Sequence, residues 1–237
     1  MRKHGVELSL VLMLSLGASA IYSILSFLRK LTSSSGIAGS VTTINAPMAQ
    51  NPWIDLLSQL ASILLGLVPV FLALYLLKLD SISLGLKPRW KDFGLVLGLA
   101  GAIGIPGIGL YFLAVDLGLT SRVVPSALNP AWWTIPVLLL AALKAGALEE
   151  IIVVGFFYKK LQLVNPNLQW VWIVLISAAL RATYHLYQGP SALVGNFIMG
   201  LVFGIIFHKT KRVAPLVIAH AVMDAVVFIG YPLVFAT

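Results

Sequence analysis

The chain has 237 residues, of which 59% are hydrophobic and only 10% charged, with a mean hydropathy of +0.98. A soluble domain is about a quarter charged, so the composition predicts a polytopic membrane protein, a single all-α transmembrane bundle over residues 1–237. The absence of cysteine excludes disulfides, thiolate catalysis and cysteine-ligated metal. The net charge of +8 invites a nucleic-acid reading, but the basic residues cluster in short loops between apolar runs. That distribution suits an anionic membrane face and argues against a nucleic-acid partner.

Seven apolar runs approach the ~20 residues that a helix needs to cross a bilayer. They are Val6 to Leu28, Leu56 to Leu77, Phe93 to Val115, Trp133 to Tyr158, Trp170 to Tyr187, Ala192 to Phe207 and Val213 to Phe235. The first, with Arg2, Lys3 and Ala18-Ser19-Ala20, has the makings of a cleaved secretory signal. Its apolar run continues from Ile21 to Leu28, however, which favours a retained anchor. Thr32 to Asn51 is polar and uncharged and is expected to be loop. Gly94 with Gly98, and Gly200 with Gly204, have the small-xxx-small spacing that predicts close helix packing. The glycines and Pro106 in the third run also suit a hinge or gate.

Placing the N-terminus in the cytoplasm puts Arg2, Lys3, Lys78, Lys87, Arg89, Lys91, Lys159, Lys160, Lys209, Lys211 and Arg212 on that side. Only Arg29, Lys30 and Arg122 fall on the other. The positive-inside rule therefore predicts a multi-pass cell-membrane protein with a cytoplasmic N-terminus and an extracytoplasmic C-terminus.

Within the apolar fourth run stand two adjacent acids, Glu149 and Glu150. A carboxylate at the centre of a membrane helix costs roughly 2.5 kcal/mol or more on insertion scales, so the pair requires partners. On an α-helix neighbours lie about 100° apart, so the two are not expected to face one point and their roles should differ. Arg181 and His185 share a face of the fifth helix at i, i+4, and His220 and Asp224 repeat that spacing on the seventh. Arg181 is the natural counter-charge for a glutamate. Asp224 can hydrogen-bond His220 and fix its tautomer. Asn196 on the sixth helix either lines the same cavity or bonds a neighbouring helix. The five acids and histidines are expected to line one polar cavity.

Two hydrolytic chemistries fit such a set. A glutamate can act as general base toward a water, with histidines and Asp224 stabilising an oxyanion or moving protons. Alternatively, two histidines and a glutamate can hold a divalent metal that activates the water. The helical zinc motif His-Glu-x-x-His is absent. No cofactor is required by the first route, and the second leaves a divalent metal open. Intramembrane acids and histidines also build proton relays in transporters, but no inverted repeat is visible.

The order Glu149-Glu150, then Arg181-Ala182-Thr183-Tyr184-His185, then His220-Ala221-Val222-Met223-Asp224 resembles the CPBP family over about Leu139 to Phe228. This family comprises the CAAX prenyl proteases and bacteriocin-processing or self-immunity proteins, also called Abi. The resemblance implies an intramembrane glutamic endopeptidase acting on a membrane-anchored or lipidated protein or peptide. It also implies that Glu149 activates water with the help of His185, that His220 and Asp224 stabilise the oxyanion, and that Glu150 supports them. The family's arginine, four residues after the second glutamate, is Val154 here. That departure motivates an alternative, a non-catalytic member acting in immunity or as a membrane scaffold, unless Arg181 supplies the missing cation.

Overall fold

The computed structural model describes residues 2–230, so the predicted end of the last apolar run at Phe235 lies outside the described residues. It is a helical bundle. Helices α1 (Arg2–Met13) and α2 (Leu16–Thr32) meet at a 48° bend. Gly17 sits against that bend, where a Cβ would come within 2.7 Å of the Leu12 carbonyl oxygen. Strand β1 (Val41–Asn45) follows, then α3 (Pro52–Gly66) and α4 (Val68–Leu79). Asn51 caps α3 by accepting from the amides of Trp53 and Ile54, with Pro52 in the first turn where no amide hydrogen is needed. Helix α5 (Phe93–Asp116) leads to strand β2 (Arg122–Ser126), and α6 (Thr134–Glu149) runs into a π-helical segment, Glu150–Phe156, and then α7 (Phe157–Val164). Helix α8 (Trp170–His185), a 3-10 turn Leu186–Gln188, α9 (Pro190–Thr210) and α10 (Ala214–Ala225) complete the bundle.

Among the described residues three helices are long and apolar enough to cross a membrane: Pro52–Leu79, Trp90–Asp116 and Pro190–Thr210. Counting the bent α1–α2 pair as one span makes four, against the seven that the sequence predicts. The remaining runs are helical but shorter or more charged. Helix α8 has 16 residues, and the seventh run is described as Ala214–Gly230. The fourth, helical from α6 through the π-helical segment to α7, carries Lys144, Glu149 and Glu150. Leu65, Phe71 and Ile105 are 70%, 63% and 74% exposed. Large apolar side chains on the outside fit a bundle whose solvent is lipid.

The segment Thr32 to Asn51 is not all loop. Its β-branched stretch Val41-Thr42-Thr43-Ile44 pairs in parallel with β2, with Val41 opposite Arg122 and Asn45 opposite Ser126. β-branched residues favour extended backbone, and a partner about 80 positions away satisfies it.

The two glycine pairs also diverge. A Cβ at Gly200 would meet Ala178 Cα at 2.8 Å and one at Gly204 would meet Val174 at 2.8 Å, so α9 lies directly on α8. Gly94 and Gly98 have nothing within 4 Å, and the close packing expected of them does not occur among the described residues. The core is centred on the π-helical segment, whose seven residues are all buried, Ile151, Ile152, Val154 and Phe156 in one apolar cluster with Phe203, Phe207 and Leu216.

Lys160, which the sequence places among the surface charges, is fully buried. Its ammonium bonds the carboxylates of Glu7 and Asp80, tying α7 to α1 and to the end of α4. Beside it, the Asp80 carboxyl is held below the usual carboxylate range.

Candidate active site

The expected residues of three helices converge because small residues let backbones approach. Gly146, one turn before the glutamates, packs against α10 so closely that a Cβ would lie 2.7 Å from the Val217 carbonyl oxygen. Gly200 gives α9 the same closeness to the Arg181 turn of α8. Arg181 is consequently fully buried, with Phe203 beneath its guanidinium at 5.6 Å.

Arg181 Nη2 donates to Glu150 Oε1 at 2.7 Å and lies 3.1 Å from Glu149 Oε2. The two glutamates therefore do meet one point, contrary to the 100° separation of an α-helix. The π-helical segment begins at Glu150 and widens the turn, and the long guanidinium reaches between the two carboxylates. One cation serves two acids, which fits the burial of both, since an isolated ionised carboxylate in a dry interior is prohibitive.

The two carboxylates have different company. Glu150 is fully buried, and its Oε1 also accepts from His220 Nδ1 at 2.7 Å. With Nδ1 donating to Glu150, the 3.0 Å approach of Arg181 Nη2 to the same nitrogen is a meeting of two donors around one oxygen. His220 Nε2 is thereby directed toward Asp224, 3.6 Å away. Glu149 Oε2 accepts from the Tyr184 hydroxyl at 2.8 Å and lies 3.3 Å from His185 Nε2. Its other oxygen makes no hydrogen bond among the described residues.

His185, His220, Asp224 and Asn196 line a cavity of about 570 Å³ whose remaining wall is largely apolar and comes mainly from α5, α9 and residues 223–230. Asn196 touches neither glutamate and donates to its own helix at the Ala192 carbonyl, 2.9 Å away. The glutamates are not part of the cavity wall: Glu149 stands one contact behind it at His185, and Glu150 one behind it at His220. The arrangement is a polar wall with acids at its back, facing an apolar space of the size that takes a small ligand or a short peptide.

Residues 131–226 match the family model described as type II CAAX prenyl endopeptidase Rce1-like. The match supports the CPBP family for this stretch. No curated protein and no solved structure matches the chain. The matched stretch also contains Tyr184, a polar residue to which the sequence alone assigns no role. Its signal was adjacency to His185, and its hydroxyl on Glu149 could not be told from a packed aromatic by spacing alone. Val154 is 2% exposed and packed in the core, so the place of the family arginine is filled by hydrocarbon while Arg181 brings the cation from α8. That cation also bears on metal binding. A guanidinium at the shared point of both glutamates repels a second positive charge there. The described residues hold one other ligand-like group, His4, Glu7 and Asp80, where the Lys160 ammonium already bonds both carboxylates.

Proposed function

We propose that the protein is an intramembrane endopeptidase that cleaves near the C-terminal end of a lipidated or membrane-anchored protein. The observation that carries this reading is Glu149. It is a buried carboxylate with one oxygen held by Tyr184, Arg181 and His185 and the other unengaged, directly behind a histidine that faces an apolar cavity. A water at the His185 face gives its proton to the Glu149–His185 pair as its oxygen attacks the scissile carbonyl, which is general-base catalysis. The negative charge that grows on the carbonyl oxygen is met by His220, whose Nδ1 is fixed on Glu150 and whose Nε2 points past Asp224. The expelled amine takes its proton from the same pair. Glu150 and Arg181 are support: they hold His220 and balance the charge of Glu149.

The membrane family, its action on prenylated proteins and the apolar cavity wall together favour a substrate with a long hydrocarbon modification. The basic residues favour a cytoplasmic N-terminus and cleavage within a cell membrane. The test is turnover of a fluorescence-quenched farnesyl-cysteine CAAX peptide by purified protein in lipid nanodiscs, with Glu149→Gln as the inactive control. Val154 favours a second reading, a non-catalytic immunity or scaffold member. Biological activity that survives Glu149→Gln would carry that reading instead.

A further inference from the structure

His185 is the last residue of α8, and the chain turns immediately after it through Leu186–Gln188 to Gly189. A side chain at the frayed end of a helix is poorly fixed by its own helix, so something else must hold it against Glu149. That turn is gripped by four hydrogen bonds to three backbone groups, all from residues outside the family-matched stretch. The Tyr187 amide donates to Ser23 Oγ of α2 at 2.7 Å, and the Tyr187 carbonyl accepts from Lys30 Nζ of α2 at 2.6 Å. The Gln188 carbonyl accepts from Thr120 Oγ1 at 2.9 Å and from the Ser121 amide at 3.1 Å. Gly189, at φ +126°, lies so near Thr120 that a Cβ would be 2.5 Å from its hydroxyl.

Lys30 is the unusual member. It is 9% exposed and no carboxylate lies within ion-pair distance of it among the described residues. Its three ammonium hydrogens go to Tyr187 O, to Thr42 Oγ1 of β1 at 2.6 Å and to Ser121 Oγ beside β2 at 2.9 Å. A buried cation without an anion is costly, and a neutral side chain cannot offer three donors from one atom. The cation joins the N-terminal helix, the strand pair and the turn below the cavity wall.

We infer that Lys30 and Ser23 are positioning residues for His185: through the two backbone groups of Tyr187 they set where the imidazole stands relative to Glu149. This rests on the reading of His185 as part of the site. It assigns the N-terminal region, which lies outside the CPBP match, a part in the chemistry.

The test uses full-length protein in nanodiscs with two readouts. In Lys30→Met and Ser23→Ala, kcat for the farnesylated peptide should fall about tenfold, short of the ~10²-fold that a 1 Å misplacement can cost, while KM stays nearly unchanged. Lys30→Arg should restore most of the loss. Independently of turnover, ¹⁵N-histidine spectra, with the His185 signal identified by its loss in His185→Gln, should show His185 shifted and His220 unshifted in both variants. Ser23→Ala removes one neutral hydrogen bond and carries the test if Lys30→Met does not fold. An unshifted His185 signal in folded variants overturns the inference. A shifted signal with no wild-type turnover of any prenylated peptide would leave it standing and sink the peptidase reading.

Discussion

The guanidinium of Arg181 lies 2.7 Å from the Glu150 carboxylate, and neither side chain is exposed. The same Nη2 reaches Glu149 at 3.1 Å, so a single cation from α8 balances two adjacent acids at the start of the π-helical segment. The cation lies across a helix interface rather than on the glutamates' own helix, where Val154 offers only a methyl-bearing surface. Charge balance in this site is therefore a tertiary property.

Removing that cation leaves two uncompensated acids. Arg181→Met should destabilise the bundle by about 3–5 kcal/mol, the cost of breaking a buried pair from one side, read as a lower melting temperature in detergent. Adding Glu150→Gln to Arg181→Met should return part of that loss, the mark of a coupled pair. Equal melting temperatures for wild type and Arg181→Met would refute the shared counter-charge.

The two glutamates should separate by assay. Glu149→Gln keeps shape and removes the free basic oxygen, so turnover should drop by a factor of ~10² or more with little change in melting temperature. Glu150→Gln should chiefly lower stability and disturb His220, because it weakens the bonds to Arg181 and His220 Nδ1. A chelator should leave wild-type turnover unchanged. Full turnover by Glu149→Gln would shift the base to another group.

Asp224 sits 3.6 Å from His220 Nε2 at the cavity wall. If its part is to orient that imidazole and the oxyanion, Asp224→Asn should retain much of the turnover, since an amide keeps an oxygen and adds a donor. Asp224→Ala should lose about as much as an oxyanion-hole donor does, 10²-fold or more in kcat. Indistinguishable kcat values for the two variants would remove it from the mechanism.

The Lys160 lock carries a pH dependence. Its ammonium holds the Asp80 carboxyl below the ordinary value, so the folded state binds that proton less readily than the unfolded chain. The stabilisation is thus complete above the unfolded carboxylate range, near pH 4, and is lost as pH falls below it. Melting temperature should decline on acidification below about pH 4, and Lys160→Met should melt lower at neutral pH with a flatter acid limb. An identical acid limb in the variant would disprove the linkage.

A chain without native cysteine suits labelling from one side at a time. Cysteine at Lys87 should react with an impermeant maleimide only from the cytoplasmic face, and cysteine at Arg122 only from the opposite one. Reaction of both from one side would refute the proposed orientation.

The pattern of residues made the helical bundle and the order of the polar pairs legible, because apolar run length and i, i+4 spacing are local properties. Arg181 as the partner of a glutamate was also readable, because an unpaired guanidinium has no other good option inside an apolar helix. What sequence did not disclose depends on distant contact. Lys160 looks like one more surface charge until Glu7 and Asp80 close on it from two other helices. Val41-Thr42-Thr43-Ile44 becomes a strand only because Arg122–Ser126 lies beside it. The glycine spacing of α5 and of α9 is the same on paper, and among the described residues only α9 meets another helix there.

The π-helical segment between Glu150 and Phe156 has a mechanical meaning for the rod that contains it. The rod engages buried charge partners near both ends of this segment: the glutamates lock onto Arg181, and ten positions after Glu150 Lys160 locks onto Glu7 and Asp80. Each lock demands its own rotational angle. One residue of an α-helix is worth about 100° of rotation, so a rod of uniform pitch that satisfied one lock would turn the other away. Hydrogen bonds that close after one extra residue change that angle without lengthening the rod much. The wide turn acts as a phase shifter, and deleting a single residue from it would set the two charged ends out of step.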